Sequence, residues 1–241
     1  MDVLNAGVEY TWLGHGTFLI RSANGKRILL DPWVDGNPAC PEEYKGENGI
    51  TELDLIVCTH AHFDHIGDAI PIARRTQAAV IGIFELCAWL NSKGVENCTG
   101  INKGGRLTVE GITLTMTHAD HSCGITDGDQ IIYGGEAAGY VIEFENAYKV
   151  YHAGDTNVFG DMALIAELYQ PDLCVLPIGD FYTMGPDEAA KAIRLLGTKK
   201  VVPCHYGTFP ILDGSPARLR EFTSDISGLT IYDLEPGQTL R

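Results

Sequence analysis

Three imidazoles and a carboxylate fall within six residues in Thr59-His60-Ala61-His62-Phe63-Asp64-His65, directly behind the apolar stretch 53–58. Buried without compensation, such groups would repel one another and lose their hydration. A chain carrying this cluster must turn it out to water or fold so that cations neutralise it. The apolar strand in front of it favours the second course. In extended backbone residues i and i+2 point the same way, so His60 and His62 can chelate one ion together. Asp64 and His65 fall where the chain turns into a helix and diverge from that pair, which suits a second, neighbouring ion.

The surrounding pattern offers further ligands at strand ends. Strands are predicted over residues 8–13, 17–21, 27–30, 53–58, 78–81, 106–109, 112–117, 140–145, 148–152, 173–176, 200–203 and 230–232. Helices are predicted from 66 to 75 and over 85–90, 161–169, 186–196 and 216–223, and residues 34–50 read as a loop. Strands give way to helices twice, which predicts two β/α halves packed as one domain over 1–241. His121, Asp155 and His205 each follow a predicted strand, where functional side chains of such folds collect. His118 competes with His121, and its place inside the strand pattern favours His121. His152 reads as packed. His15 reads equally as a group near the substrate or a turn-stabilising hydrogen bond, and Asp180 equally as a loop carboxylate or a catalytic one. Cys58 and Cys204 flank ligands, but alternation turns them away and predicts burial. Phe181, Tyr182, Met184, Tyr206 and Phe209 are candidate pocket walls, about half of them expected to be core. The glycine-rich stretch 124–139 reads as a flap over the site or a run of tight turns.

Taken in order, Asp31, His60-x-His62-x-Asp64-His65, His121, Asp155 and His205 resemble the metallo-β-lactamase superfamily. Gly14-His15-Gly16-Thr17-Phe18, Asp31-Pro32-Trp33, Ala153-Gly154-Asp155-Thr156-Asn157, Pro177-Ile178-Gly179-Asp180 and Pro203-Cys204-His205-Tyr206-Gly207-Thr208-Phe209 resemble more narrowly its small metal-dependent hydrolases related to the ascorbate-6-phosphate lactonase branch. The resemblance runs over nearly the whole chain. It implies an α/β (α+β) fold, a four-layer αββα sandwich with the site at one edge. It also implies that His60, His62 and His121 bind one divalent metal ion and that Asp64, His65 and His205 bind a second. Asp155 would bridge both, and Asp31 would orient a ligand imidazole. Asp64, Asp155 and His205 then stand as the catalytic candidates.

Nitrogen and oxygen ligands suit Zn²⁺ first, with Mn²⁺ or Fe²⁺ as alternatives. Two divalent ions sharing Asp155 would make a bridging hydroxide near neutral pH. Two such cations, two carboxylates and a hydroxide sum to about +1, which draws in an anionic or carbonyl-bearing molecule. The expected function is hydrolysis of a small-molecule ester, lactone or phosphodiester. A formal net charge of −15 counts against a nuclease of the same superfamily. A metal-holding regulatory module without turnover is the alternative from another class. The seven cysteines are odd in number, scattered and never spaced Cys-x-x-Cys, which argues against a disulfide framework or zinc ribbon. Neither a signal peptide nor a membrane span is read, so a cytoplasmic protein is expected. Its expected partner is a small-molecule substrate, with no nucleic acid and no membrane, and a homo-oligomer is left open.

Overall fold

Fourteen of the strands lie in two seven-stranded sheets, and each sheet is antiparallel in one half and parallel in the other. The computed structural model describes Leu4 and residues 6–241, so the reading of the N-terminus falls partly outside the described residues. The first half of the chain runs β1 (Glu9–Trp12), β2 (Phe18–Arg21), β3 (Arg27–Leu30), β4 (Leu55–Val57), α1 (Phe63–Ile66), α2 (Ala69–Thr76), β5 (Ala79–Ile83), α3 (Phe84–Ser92) and β6 (Cys98–Ile101). The second half runs β7 (Arg106–Val109), β8 (Ile112–His118), β9 (Gly124–Asp127), β10 (Gln130–Tyr133), β11 (Ala138–Glu143), β12 (Lys149–His152), α4 (Met162–Tyr169), β13 (Leu173–Pro177), α5 (Pro186–Leu196), β14 (Lys200–Cys204), α6 (Pro216–Phe222), β15 (Thr230–Ile231) and β16 (Thr239–Leu240).

The sheet orders are β16-β1-β2-β3-β4-β5-β6 and β15-β14-β13-β12-β11-β8-β7. Side-chain alternation builds the layers between and outside them. Leu173 and Val175 of β13 and Val202 of β14 face the core shared with the first sheet. Their neighbours Cys174, Leu176 and Val201 face a separate core against α4, α5 and α6. On the other side α3 packs over β5 and β6. The result is the expected αββα sandwich. Helix α5 shows why these residues form this element: Pro186 opens it, the Gly185 N–H donates to Glu188 Oε2 (3.2 Å), and Ala189, Ala190, Ile193 and Leu196 are buried against the sheet.

Strand direction then decides where loops gather. Strands β3 and β4 run parallel, so their carboxyl ends share an edge, and antiparallel β1 and β2 bring the turn between them to that same edge. In the second sheet β12, β13 and β14 are parallel, and β8, twice reversed through β11, points with them. The two edges meet: the His205 N–H donates to the His15 carbonyl (3.0 Å) and the Ala138 N–H to the Thr59 carbonyl (3.1 Å).

Three differences from the sequence reading concern strands with weak signals. Strand β6 is half-exposed and holds a glycine, and β16 is two residues long. Residues 124–133 form a two-stranded hairpin. It is tied to α3 through Asp127, which accepts from Trp89 Nε1 (3.1 Å) and pairs with Lys93 (2.7 Å). The helical segment also starts earlier, at Phe63, and breaks at Gly67-Asp68, where the Asp68 carboxylate accepts from the backbone of Val34 and Asp35. Among the described residues no helix is long and apolar enough to cross a membrane.

Candidate metal centre

Asp31 follows β3, His60 and His62 follow β4, His121 follows β8, Asp155 follows β12 and His205 follows β14. Asp64 and His65 stand on the single turn of α1. All seven ligand candidates therefore meet at the shared edge. Close backbone packing sets two of them. A side chain on Gly16 would come 2.7 Å from His65 Cε1, and one on Gly179 would run into the His205 carbonyl. Glycine is the residue that permits both approaches.

The donor atoms fall into two groups around one oxygen. His62 Nδ1 lies 3.0 Å from His60 Nε2 and 3.3 Å from His121 Nε2. On the other side, Asp155 Oδ2 lies 3.2 Å from His65 Nε2 and 2.9 Å from His205 Nε2. Asp64 Oδ2 is 4.0 Å and 3.8 Å from the same two nitrogens. Asp155 Oδ2 is also 3.8 Å from both His60 Nε2 and His121 Nε2, which places it between the groups. Ligands bound at about 2.0–2.1 Å stand about 3.3 Å apart on a tetrahedral ion and about 2.9 Å apart at right angles on a more crowded one. The spacings match such an ion among His60, His62 and His121, and from Asp155 to His65 and His205, while Asp64 stands wider at 3.8 and 4.0 Å.

A second observation agrees. His65 Nε2 and both ring nitrogens of His205 are buried without a hydrogen-bond partner, although Asp155 is near. The two Nε2 atoms face Asp155 without the alignment a hydrogen bond needs, and a cation would answer them better. The residues fit a divalent metal.

The groups behind the ligands fix which nitrogen each one presents. Asp31 accepts from the Thr59 N–H (2.7 Å) and the Thr59 hydroxyl (2.7 Å), and His65 Nδ1–H donates to it (2.8 Å). Because the Thr59 proton is committed to Asp31, Thr59 Oγ1 is left to accept from His60 Nδ1 (3.1 Å). Asp31 thus sets two ligand candidates, His65 directly and His60 through Thr59, and both keep Nε2 free. His62 turns Nε2 to Ser122 Oγ (3.1 Å) and keeps Nδ1 for the group. His15, whose sequence context offered a place near the substrate or a turn-stabilising bond, donates from Nε2 to Asp64 Oδ2 (2.9 Å), and its Nδ1 meets Thr208 Oγ1 (3.0 Å).

Burial and charge treat the groups differently. Burial, with the neighbouring imidazoles, pushes His60 well below the ordinary imidazole pKa and lowers His62 and His121 as well. Burial also opposes charge on His65 and His205, but Asp155 outweighs it. In a cation-free centre His65 is held well above its ordinary value and His205 at about 9. Burial raises Asp64 and Asp155 in turn, yet His15 and His205 at the first, and His205 and His65 at the second, hold both ionised. His15 is itself pushed down to about 4, mainly by burial, so it acts on Asp64 as a neutral donor.

The remaining candidates lie elsewhere. His118 ends β8 at the surface, beside Lys103 Nζ (3.2 Å) and the Phe159 ring. His152 is buried against Phe18 and accepts from the Gly154 N–H (3.2 Å). Asp180 is a loop carboxylate that accepts from the Phe181 N–H (2.7 Å), and Cys58 and Cys204 are buried. Of the proposed pocket walls, Tyr182 and Phe209 line a cavity of about 550 Å³ over the centre. Met184 is buried in the helix-side core, Tyr206 stacks on Trp12, and Phe181 lies exposed against Tyr182. Phe63, Ile211 and Leu212 line the cavity without having been singled out, although Phe63 sits inside the histidine motif.

A family model for the beta-lactamase superfamily domain matches residues 26–206. A UPF0173 metal-dependent hydrolase of Koribacter versatilis is 51% identical over 233 residues, covering 97% of each chain. One from Solibacter usitatus is 52% identical over 236 residues, covering 97% of this chain and 100% of that one. Among solved structures, the metallo hydrolase Igni18 of Ignicoccus hospitalis shares 36% identity and a TM-score of 0.84, with 97% of both chains covered.

Proposed function

This chain belongs to the beta-lactamase superfamily and, within it, to the UPF0173 family, and on that basis we propose that it is a hydrolase whose centre holds two divalent metal ions, one on each side of Asp155. One observation carries the reading: Asp155 Oδ2 stands within 3.8 Å of four imidazole nitrogens drawn from both groups. His60, His62 and His121 hold one ion, and Asp64, His65 and His205 the other. When bound, such ions supply a water activated near neutral pH and a counter-charge for the oxygen that turns negative as the bond breaks.

The chain's own groups hold this arrangement. Asp31 directs the free nitrogens of His60 and His65, and His15 pins one oxygen of Asp64. Asp64 and Asp155, held ionised, act as acceptors and not as acids. His62, Asp64, His121 and Asp155 face the cavity, so a substrate seated there meets them directly. The bond broken is an ester, lactone or phosphodiester of a small molecule. Cysteines that are all unpaired fit a reducing, cytoplasmic setting.

Elemental analysis and anomalous scattering, combined with turnover on lactones, esters and phosphodiesters, test this. Two ions per chain with hydrolysis are expected. A single ion removes the bridge, and a fully loaded protein that cleaves nothing favours a regulatory module.

A further inference from the structure

Resting on the hydrolase reading above, we propose that the substrate is a carboxylic ester or lactone whose acyl arm is uncharged and apolar. The cavity over the centre has a polar floor of His62, Asp64, His121 and Asp155. Its walls are Phe63, Tyr182, Phe209, Ile211 and Leu212, and the further polar groups are the hydroxyls of Ser122, Thr126 and Tyr182. The chain has 17 lysines and arginines, yet none lines this cavity. A phosphate or carboxylate on the substrate's arm would lie against apolar walls and meet no cationic side chain, only hydroxyl donors. A hydrocarbon arm would instead cover Phe63, Tyr182 and Ile211, which stand 57%, 58% and 43% exposed.

The walls are held in place. Trp33 backs Phe63 edge-on (5.9 Å between centroids) and Phe209 (6.0 Å). Tyr182 follows two non-glycine residues in left-handed backbone, Asp180 at φ 65° and Phe181 at φ 45°. Consecutive strain of this kind persists where the surroundings impose it, and here it presents Tyr182 to the cavity.

The reacting group follows from the same inventory. Cleavage of a phosphodiester leaves charge on two non-bridging oxygens, and arginine or lysine commonly help to hold such charge. An acyl centre develops one oxyanion, which the ions can take. Hydrolysis adds the water oxygen to the carbonyl carbon, and the acyl C–O bond breaks with its electron pair on the leaving oxygen. That oxygen takes a proton, and the acid product releases one to solvent.

The test uses the zinc-loaded full chain with p-nitrophenyl acetate, butyrate, hexanoate and succinate, and bis-p-nitrophenyl phosphate. A buried methylene is worth about fourfold, so kcat/KM should rise at least about tenfold from acetate to hexanoate. Succinate should fall at least about tenfold below butyrate, the phosphodiester should be slowest, and Ile211→Lys should bring succinate level with butyrate. A flat chain-length series, or a preference for succinate or the phosphodiester, overturns the proposal. Should none of these compounds turn over, the lactone panel above decides the hydrolase reading separately, and calorimetry of hexanohydroxamate against succinohydroxamate still reads the arm. Tighter binding of the hexanoyl compound supports the proposal, and equal or reversed binding sinks it.

Discussion

The two sides of Asp155 hold the same kind of ligand in opposite electrostatic settings. His60, His62 and His121 form an all-imidazole group, with Thr59 and Ser122 behind it and no carboxylate nearer than Asp155 at 3.8 Å. His65 and His205 lie among acids, and Asp31, Asp64 and Asp155 all approach them. The first group is therefore uncharged at neutral pH, one nitrogen of each ring already free, whereas the second holds extra protons that an incoming cation must displace. Backbone strain follows the acidic side: His15, Asp31 and His205 all sit at positive φ. Both sides take two residues from the 60–65 stretch and one from a distant strand end, so the contrast lies in charge and backbone strain and not in how far apart the donors are in sequence.

Breaking the bridge should have the largest effect. Asp155→Ala is expected to lower kcat/KM at least about a thousandfold and to cost ions on both sides, as steady-state rates with elemental analysis would report. Full retention of one ion would mean that the sides are independent. His62→Ala and His205→Ala should each remove one ion only, with activity down by roughly a hundredfold or more. Both ions surviving either change would refute the ligand assignment.

The pH dependence sharpens the contrast further. His205, at about 9, and His65, also raised, bind metal only after losing a proton each, so below pH 9 affinity on that side should fall by at least about tenfold per pH unit. The imidazole side, with every pKa lowered, should stay flat down to about pH 6.5. Proton release during titration of the cation-free protein with Zn²⁺ measures this, and equal release from both equivalents would erase the distinction. Asp31→Asn should weaken metal affinity by about 10- to 100-fold on both sides, while Thr59→Val acts on the His60 side alone. Competition with a chromophoric chelator reads both. The smallest change is expected from His118→Ala, within about twofold of the parent against the large loss for His121→Ala, because a substitution at an exposed residue away from the site has little to disturb.

Strong local signals made much of this legible. The buried parallel strands β4, β13 and β14 read as apolar runs, and α5 as a capped amphipathic segment. Strands β6 and β16 and the 124–133 hairpin did not, because their short or glycine-bearing stretches owe their pairing to neighbours far along the chain. Thr59 gave no sign of its part, since a threonine becomes a relay only when an acid arrives from another strand.

What the sequence determined by itself was the chemistry: a dense histidine and aspartate cluster behind a buried strand, with His121, Asp155 and His205 waiting at other strand ends. Imidazoles and carboxylates so close cannot be left dry without a bound cation or protons shared among them, and that holds whatever the fold. Only the tertiary structure decided how these donors divide around Asp155, which nitrogen each presents, and that His15 serves Asp64. It also decided that Phe63, Ile211 and Leu212 make the cavity apolar. Those outcomes depend on distances between residues as far apart as 193 positions, such as His15 and Thr208, and only the packed sheets bring them together.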